Sequence, residues 1–112
     1  MNYYEIWCNL IDSSQDVAFC ASVAKYMGYL RERGWIEGWR ITRRKLGFGP
    51  PALGEFHITI EVRDLAQLEQ AFQQAATRAG EIEALHRAVY SAVKDLQFAL
   101  YRDFPDPARA PA

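Results

Sequence analysis

The residue best suited to acid–base chemistry is His57, in the segment "EFHITIEVR" at 55–63. A histidine side chain exchanges a proton near neutral pH, so it can serve as a general base or polarise a bound group. Charged side chains on neighbouring strands are placed to tune it. They are Glu5, Glu61, Arg40 and Arg44. The alternative is a histidine that only forms hydrogen bonds across a dimer interface.

A second candidate is the basic cluster at the end of "WIEGWRITRRKL", residues 35–46. Arg40 and Arg44 share one strand face, and an arginine there can hold a carboxylate or phosphate through two parallel hydrogen bonds. Arg43 and Lys45 are better explained as a solvated strand end paired with glutamates. The following "KLGFGPP" lacks the spacing of a phosphate-binding loop, so no nucleotide site is predicted.

Aromatic and polar side chains complete the candidate site. Trp7 or Tyr101 can stack on a planar substrate, and the Tyr101 hydroxyl can also donate a proton. Packing at a dimer seam is the alternative, and we favour it for Trp7. Asn9, Thr59 and Glu61 add hydrogen-bonding groups to the predicted ligand site.

The second histidine, His86, precedes Tyr90 by one helical turn. The simpler explanation is a helix histidine with a satisfied or exposed ring. Tyr26 is expected to cover the edge of the core. A metal site that joins His57, His86 and a glutamate has no supporting spacing, so we expect no metal and no cofactor.

Alternating apolar and polar residues predict four strands, over 3–10, 35–46, 55–63 and 96–104. The clearest is 55–63, where the apolar side chains face one way and His57, Thr59 and Glu61 the other. The glycine- and proline-rich segment 47–54 between the second and third strands predicts a loop.

Apolar residues at three- and four-residue spacing predict two helices and a further helical segment. The first helix covers 14–33, and Gly34 is placed to end it. Its apolar stripe is Val17, Cys20, Val23, Ala24, Met27 and Leu30. Asp64, with Gln67 three residues on, caps the second helix, Gly80 interrupts it, and helical spacing resumes over 81–93. The stripe of the second helix is Leu65, Leu68, Phe72, Ala75 and Ala79.

The order βαββαβ, with an extra helical segment before the last strand, predicts an α+β ferredoxin-like domain over 1–104 and a Pro/Ala-rich tail over 105–112. Both main helices then cover one face of a four-stranded antiparallel sheet. The uncovered face is expected to carry Glu5, Trp7, Asn9, Arg40, Thr42, Arg44, His57, Thr59, Glu61, Ala99 and Tyr101.

Composition excludes several classes of protein. Of 112 residues, 50% are hydrophobic, which excludes a disordered chain, and the net charge of −1 argues against general nucleic-acid binding. No apolar run is long enough to span a membrane, and "MNYYEIWCNL" does not have the features of a signal peptide, so we expect a cytoplasmic protein. Cys8 and Cys20 are expected to be buried, unpaired thiols.

Residues 2–107 resemble a family of uncharacterised bacterial proteins with a ferredoxin-like, dimeric α+β barrel fold. The resemblance is carried by "YYEIWCNL", "IEGWRITRRKLGFGP", "GEFHITIEVRDLAQLEQAF", "ATRAGEIEALH" and "ALYRDFPDP". It implies a homodimer that packs its sheets back to back, and it implies no activity. The wider superfamily includes cofactor-free and haem-degrading monooxygenases. The haem-degrading type also pairs a strand-one asparagine, here Asn9, with a third-strand tryptophan, which this chain lacks.

Three hypotheses about function follow. The first is binding of a small aromatic or acidic metabolite in a pocket on the sheet face of a homodimeric barrel. The second is a cofactor-independent monooxygenase or isomerase, with His57 as base and Arg44 or Tyr101 stabilising an oxyanion. The third is a face that is only buried in the dimer. In each case the chain pairs with itself, and neither nucleic acid nor a membrane is an expected partner.

Overall fold

In a computed structural model that describes residues 1–109, the chain forms four strands and three helices. In chain order they are β1 (Asn2–Leu10), α1 (Asp16–Glu32), β2 (Gly38–Arg43), β3 (Phe56–Val62), α2 (Leu65–Ala76), α3 (Gly80–Tyr90) and β4 (Val93–Arg102). This order confirms the predicted α+β ferredoxin-like fold with its extra helix. The tail predicted over 105–112 lies beyond β4, and its residues 110–112 lie outside the described part of the chain.

The four strands form one antiparallel sheet in the order β2-β3-β1-β4. His57 lies opposite Trp7 on one side and opposite Thr42 on the other. Residues directly opposite each other share a face, so these side chains lie together on the face away from the helices. Ala99 opposite Glu5 belongs to the same face. The structure therefore confirms the predicted alternation of all four strands.

The helices cover the other face and close the hydrophobic core over residues such as Ile6 and Ile58. In α1 the buried side chains are Phe19, Val23, Tyr26, Met27 and Leu30. The predicted stripe was wrong at three positions, because Val17, Cys20 and Ala24 are exposed. Phe19 takes the inward position of the first turn, where its ring meets Phe56 edge to face at 5.5 Å. The prediction of two buried thiols therefore holds for Cys8 only.

The second helix begins as predicted, with the backbone N–H of Gln67 donating to the Asp64 carboxylate at 2.9 Å. Leu65 and Phe72 belong to the predicted apolar stripe but are 59% and 44% exposed. Gln67 is polar but buried. Its side-chain amide is satisfied there, because it accepts from the backbone N–H of Arg63 and donates to the carbonyl oxygen of Gly34. Ala79 lies past the end of α2 and is exposed. No helix among residues 1–109 is long and apolar enough to cross a membrane.

Two strands differ from their predicted bounds. β2 covers Gly38–Arg43, which is shorter than the predicted 35–46. The backbone N–H of Arg44 donates to the carbonyl oxygen of Glu55, and beyond this bond the chain leaves the sheet and enters the long loop. β4 begins at Val93, where helical spacing had been predicted. The pairing of β1 with β4 shifts between Trp7 and Asn9, and Asp95 has a φ of 56°. This irregularity interrupts the alternation that would have revealed the start of the strand.

Candidate functional site

We call the sheet face away from the helices the open face. The site predicted there contains a hydrogen-bonded cluster around Glu5. Its carboxylate lies 2.7 Å from the Nε2 of His57 and accepts a hydrogen bond from the Thr59 hydroxyl at 2.6 Å. The His57 ring stacks on Trp7 with centroids 4.6 Å apart. Thr59 is buried and Glu5 largely so. A carboxylate that holds one imidazole nitrogen fixes the tautomer, which leaves the other nitrogen to act as a base.

Trp7 and His57 also line a cleft of about 190 Å³ under the β2–β3 loop. Arg44 reaches this cleft, but its guanidinium donates to the backbone oxygens of Pro50 at 2.9 Å and Leu53 at 2.7 Å. Two of its donors therefore hold the loop, which gives Arg44 a structural role in addition to the ligand role that the sequence predicts.

The other predicted site residues are spread over the same face. Arg40 is exposed on the edge strand β2, opposite Thr59. Tyr101 is 60% exposed on the other edge strand, β4, opposite Tyr3, so β3 and β1 lie between it and Arg40. Asn9 lies beyond the register shift, where its amide bonds both Asp95 and the backbone N–H of Glu55.

Glu61 of β3 lies opposite Gly38 of β2 on one side and opposite Tyr3 of β1 on the other. The structure therefore brings Trp7, His57 and Thr59 together around Glu5 and leaves Arg40, Glu61, Tyr101 and Asn9 outside that cluster. A ligand role for each of them stays a prediction.

A second cavity lies on the opposite side of the sheet, between the strands and the helices. Its volume is about 340 Å³. It is lined by Tyr4, Tyr26, Met27, Leu30, Ile36, Ile60, Leu68, Ala71, Phe72, Ala75, His86, Tyr90 and Phe98. We call this space the helix-side cavity. Apolar walls with few polar groups and a volume of roughly 300–1,000 Å³ are typical of small-molecule sites.

Aromatic rings form two walls of the helix-side cavity. Tyr4 meets Phe72 edge to face at 5.3 Å and stacks against Phe98 at 5.8 Å. Further in, the His86 ring lies 5.7 Å from Tyr26 and 4.6 Å from Tyr90. Phe72 and Phe98 are about half exposed, at 44% and 52%, which places them at the opening of the cavity.

Sequence reasoning treated the polar members of this cavity as packing residues. Tyr26 was expected to cover the core edge, and His86 was expected to be an ordinary helix histidine. The one available signal was their spacing, since His86 and Tyr90 lie one turn apart and face the same way. That signal does not show that α1 brings Tyr26 against them. Within the described part of the chain, no three His, Cys, Asp or Glu side chains are arranged to hold a metal ion.

Burial keeps the tyrosines of the helix-side cavity protonated. Desolvation raises the pKa of Tyr26 to about 12, with a smaller contribution from the nearby Glu83 carboxylate. Desolvation also raises the pKa of Tyr90 and of Tyr4 above the ordinary value. Near neutral pH all three hydroxyls are therefore neutral hydrogen-bonding groups.

This shift predicts a loss of stability in alkaline solution. The unfolded chain releases the Tyr26 proton near pH 10 and the folded chain near pH 12, so the folded state binds more protons in between. The free energy of unfolding therefore falls as the pH rises through this interval. Urea unfolding of wild type and Tyr26→Phe at several alkaline pH values measures it. The variant is expected to lose stability less steeply, and equal slopes would contradict the assignment.

The fold and this cavity together define a class: an α+β ferredoxin-like protein with an aromatic cavity between sheet and helices. The chain belongs to the Family of unknown function (DUF6614), whose profile matches residues 1–112. A comparison with curated proteins finds no match.

Solved structures share the fold at low sequence identity. A dimeric ferredoxin-like protein of unknown function from Jannaschia sp. CCS1 superposes with a TM-score of 0.67 at 8% identity, covering 91% of this chain and 98% of its own. A protein provisionally described as an antibiotic biosynthesis monooxygenase from Bordetella bronchiseptica gives 0.63 at 13% identity, with 93% and 98% covered. SnoaB, a cofactor-independent oxygenase from Streptomyces nogalater, gives 0.61 at 8% identity, with 95% of each chain covered.

Proposed function

We propose that this protein binds a small apolar molecule in the helix-side cavity. The observation that carries the proposal is the cavity itself, about 340 Å³ with mostly apolar and aromatic walls and an opening between Phe72 and Phe98. An engineered apolar cavity of about 150 Å³ is enough to bind benzene. A space of this size therefore fits a molecule of two fused rings.

This location differs from the sheet-face pocket that the sequence predicts. The open face has the smaller cleft, about 190 Å³, and Arg44, which lines that cleft, is engaged by backbone oxygens of its own loop. Two variants separate the sites. His57→Ala removes the polar centre of the open face, whereas Ala75→Phe fills the helix-side cavity.

The test of this proposal is a titration of the protein with naphthalene, followed by chemical-shift changes of backbone amides. We expect shifts that saturate and concentrate around the helix-side cavity, in Ala71 and Ala75 of α2 and Tyr90 of α3. His57→Ala should leave this binding unchanged. Shifts that centre on Trp7 and Thr42 would move the site to the open face, and the absence of saturable shifts would overturn the proposal.

We also propose that the chain forms a homodimer through the open face of the sheet. The support is the dimeric state of a structural neighbour with the same fold and the aromatic character of this face, which carries Tyr3, Trp7 and Tyr101. An exposed aromatic surface of this kind is typical of protein interfaces. In such a dimer the Glu5–His57–Thr59 cluster lies between the two sheets.

The dimer is tested by placing a charge on each face of one strand. Tyr101→Asp puts a carboxylate into the proposed interface and is expected to weaken dimerisation at least about tenfold. Leu100→Asp is the matched control, because Leu100 is 51% exposed on the same strand but on the other face. Sedimentation should give twice the 12.8 kDa chain mass for wild type and control, and the chain mass for Tyr101→Asp. A wild-type monomer would contradict the interface.

A second candidate function is a cofactor-independent oxygenase, favoured by the fold shared with an oxygenase of that kind. Such a reaction turns a CH₂ group of the substrate and dioxygen into a carbonyl and water. A base removes one C–H proton, the electron pair left on carbon bonds dioxygen to give a peroxide, and the O–O bond breaks as the second C–H proton is lost. One oxygen stays as the carbonyl, and the other leaves as water with the two protons. His57, oriented by Glu5, is the base on the open face, and Arg44 of the same cleft is the group beside the oxyanion. His86 is the corresponding base in the helix-side cavity.

Dioxygen uptake with hydroxylated polycyclic substrates tests this candidate. His57→Ala is expected to lower turnover roughly a hundredfold or more if the open face is the site, and His86→Ala if the cavity is. Uptake that neither variant changes would exclude both histidines as the base.

A further inference from the structure

The helix-side cavity contains no charged side chain. None of its thirteen lining residues is Lys, Arg, Asp or Glu. The Glu83 carboxylate acts on Tyr26 from outside the lining. Arg87 does not supply a free cation to a ligand, since its exposed guanidinium is paired with Glu83 at 3.0 Å and does not line the cavity. An anion in the cavity would therefore lose its hydration without gaining a cationic partner.

The cavity nevertheless presents polar groups without partners. Among residues 1–109, no protein group bonds the hydroxyls of Tyr4, Tyr26 and Tyr90 or the imidazole nitrogens of His86. Tyr26 is 5% exposed, and its hydroxyl oxygen keeps accessible surface. These neutral groups can form hydrogen bonds with one hydroxyl or carbonyl of a ligand. If the ligand offered no such group, a protein group that it covers would lose its hydration without gaining a hydrogen bond, which costs binding free energy.

Building on the proposed function, we propose that the helix-side cavity selects neutral aromatic molecules that carry one hydrogen-bonding oxygen, phenols above all, and rejects carboxylates. The oxygen meets His86, which lies between Tyr26 and Tyr90 and can donate or accept according to its tautomer. The ring system lies against Tyr4, Phe72 and Phe98. Of the two ligand classes that the sequence suggests, this proposal keeps the aromatic one and drops the acidic one.

Three probes that share one ring system separate shape from charge: naphthalene, 2-naphthol and 2-naphthoate. At about pH 7 a carboxylic acid is ionised and a phenol is not. Amide chemical-shift titrations of the full chain should show 2-naphthol binding at least about tenfold more tightly than 2-naphthoate, because the carboxylate is desolvated without a cation. Naphthalene is expected to lie between them.

Two variants then test the anchor. His86→Phe keeps a planar ring between Tyr26 and Tyr90 but removes the hydrogen-bonding nitrogens. It is expected to weaken 2-naphthol about fivefold, the usual worth of one hydrogen bond, and to leave naphthalene unchanged. Tyr29→Phe removes a hydroxyl that does not line the cavity and should change neither probe.

The outcomes distinguish the two proposals. If none of the three probes binds, the proposed function fails together with this inference. If naphthalene binds and 2-naphthoate binds as tightly as 2-naphthol, the cavity is a binding site but the selection of neutral ligands is wrong. Equal loss of naphthalene and 2-naphthol in His86→Phe would show that His86 only shapes the cavity, which overturns its role as the anchor.

Discussion

Ala75→Phe is expected to weaken naphthalene binding at least about tenfold, the largest effect on ligand binding expected from a single substitution. Ala75 lies in the last turn of α2, where it lines the helix-side cavity and packs on the core. A phenyl ring there occupies the volume that the ligand needs. Because the residue is only partly buried, the larger side chain can be accommodated by the cavity without displacing α2.

Ala76→Phe is the matched control for this experiment. Ala76 is the next residue of the same helix, is exposed and does not line the cavity. Both variants have the same cost in helix propensity, so the difference between them reports the cavity alone. Titration with naphthalene should give wild-type affinity for Ala76→Phe. If Ala75→Phe also binds like wild type, the ligand does not occupy the space beside α2, and the proposed site is wrong.

Gly54→Ala is expected to cost more than about 3 kcal/mol of stability, the largest structural effect. A Cβ atom at Gly54 would lie 2.4 Å from both the carbonyl carbon and the carbonyl oxygen of Cys8. These are backbone atoms of β1, which is held by β3 on one side and β4 on the other. β1 cannot move aside without disturbing its pairing with both strands, so the end of the β2–β3 loop must shift instead.

Gly28→Ala is expected to raise the free energy of unfolding in the same assay. Gly28 lies in the interior of α1, and a Cβ atom there meets nothing within 4 Å. Alanine in a helix interior is worth about 0.5–1 kcal/mol over glycine, so this variant should be more stable than wild type. Urea unfolding at neutral pH measures both. Wild-type stability in Gly54→Ala would mean that the loop does not approach β1 as closely as the structure places it.

The open-face cluster illustrates how far strand periodicity leads. The alternation of 55–63 predicts that His57 and Thr59 share the face opposite the core, and the register with β1 confirms it. It places Glu5 among four charged side chains near His57 and does not single it out, because the diagonal contact from Glu5 to His57 depends on the side-chain rotamers of two strands far apart in sequence. The same dependence on side-chain conformation applies to Arg44, which is predicted to hold a carboxylate or phosphate of a ligand and in the structure bonds backbone oxygens of its own loop.

Local sequence patterns were enough to predict the order of the elements, the faces of the strands, the end of α1 and the start of α2. These depend on local chemistry: a two-residue alternation, the Asp64 carboxylate bonding the N–H of Gln67, and Gly34 at a φ of 74° after α1. Packing of the whole chain decided that Phe19 points into the core and Cys20 to the surface, and it decided where the cavity lies. The cavity joins Tyr4, Tyr26, His86 and Phe98 from four elements, and its volume is the space left when their packing is complete, which no local pattern encodes.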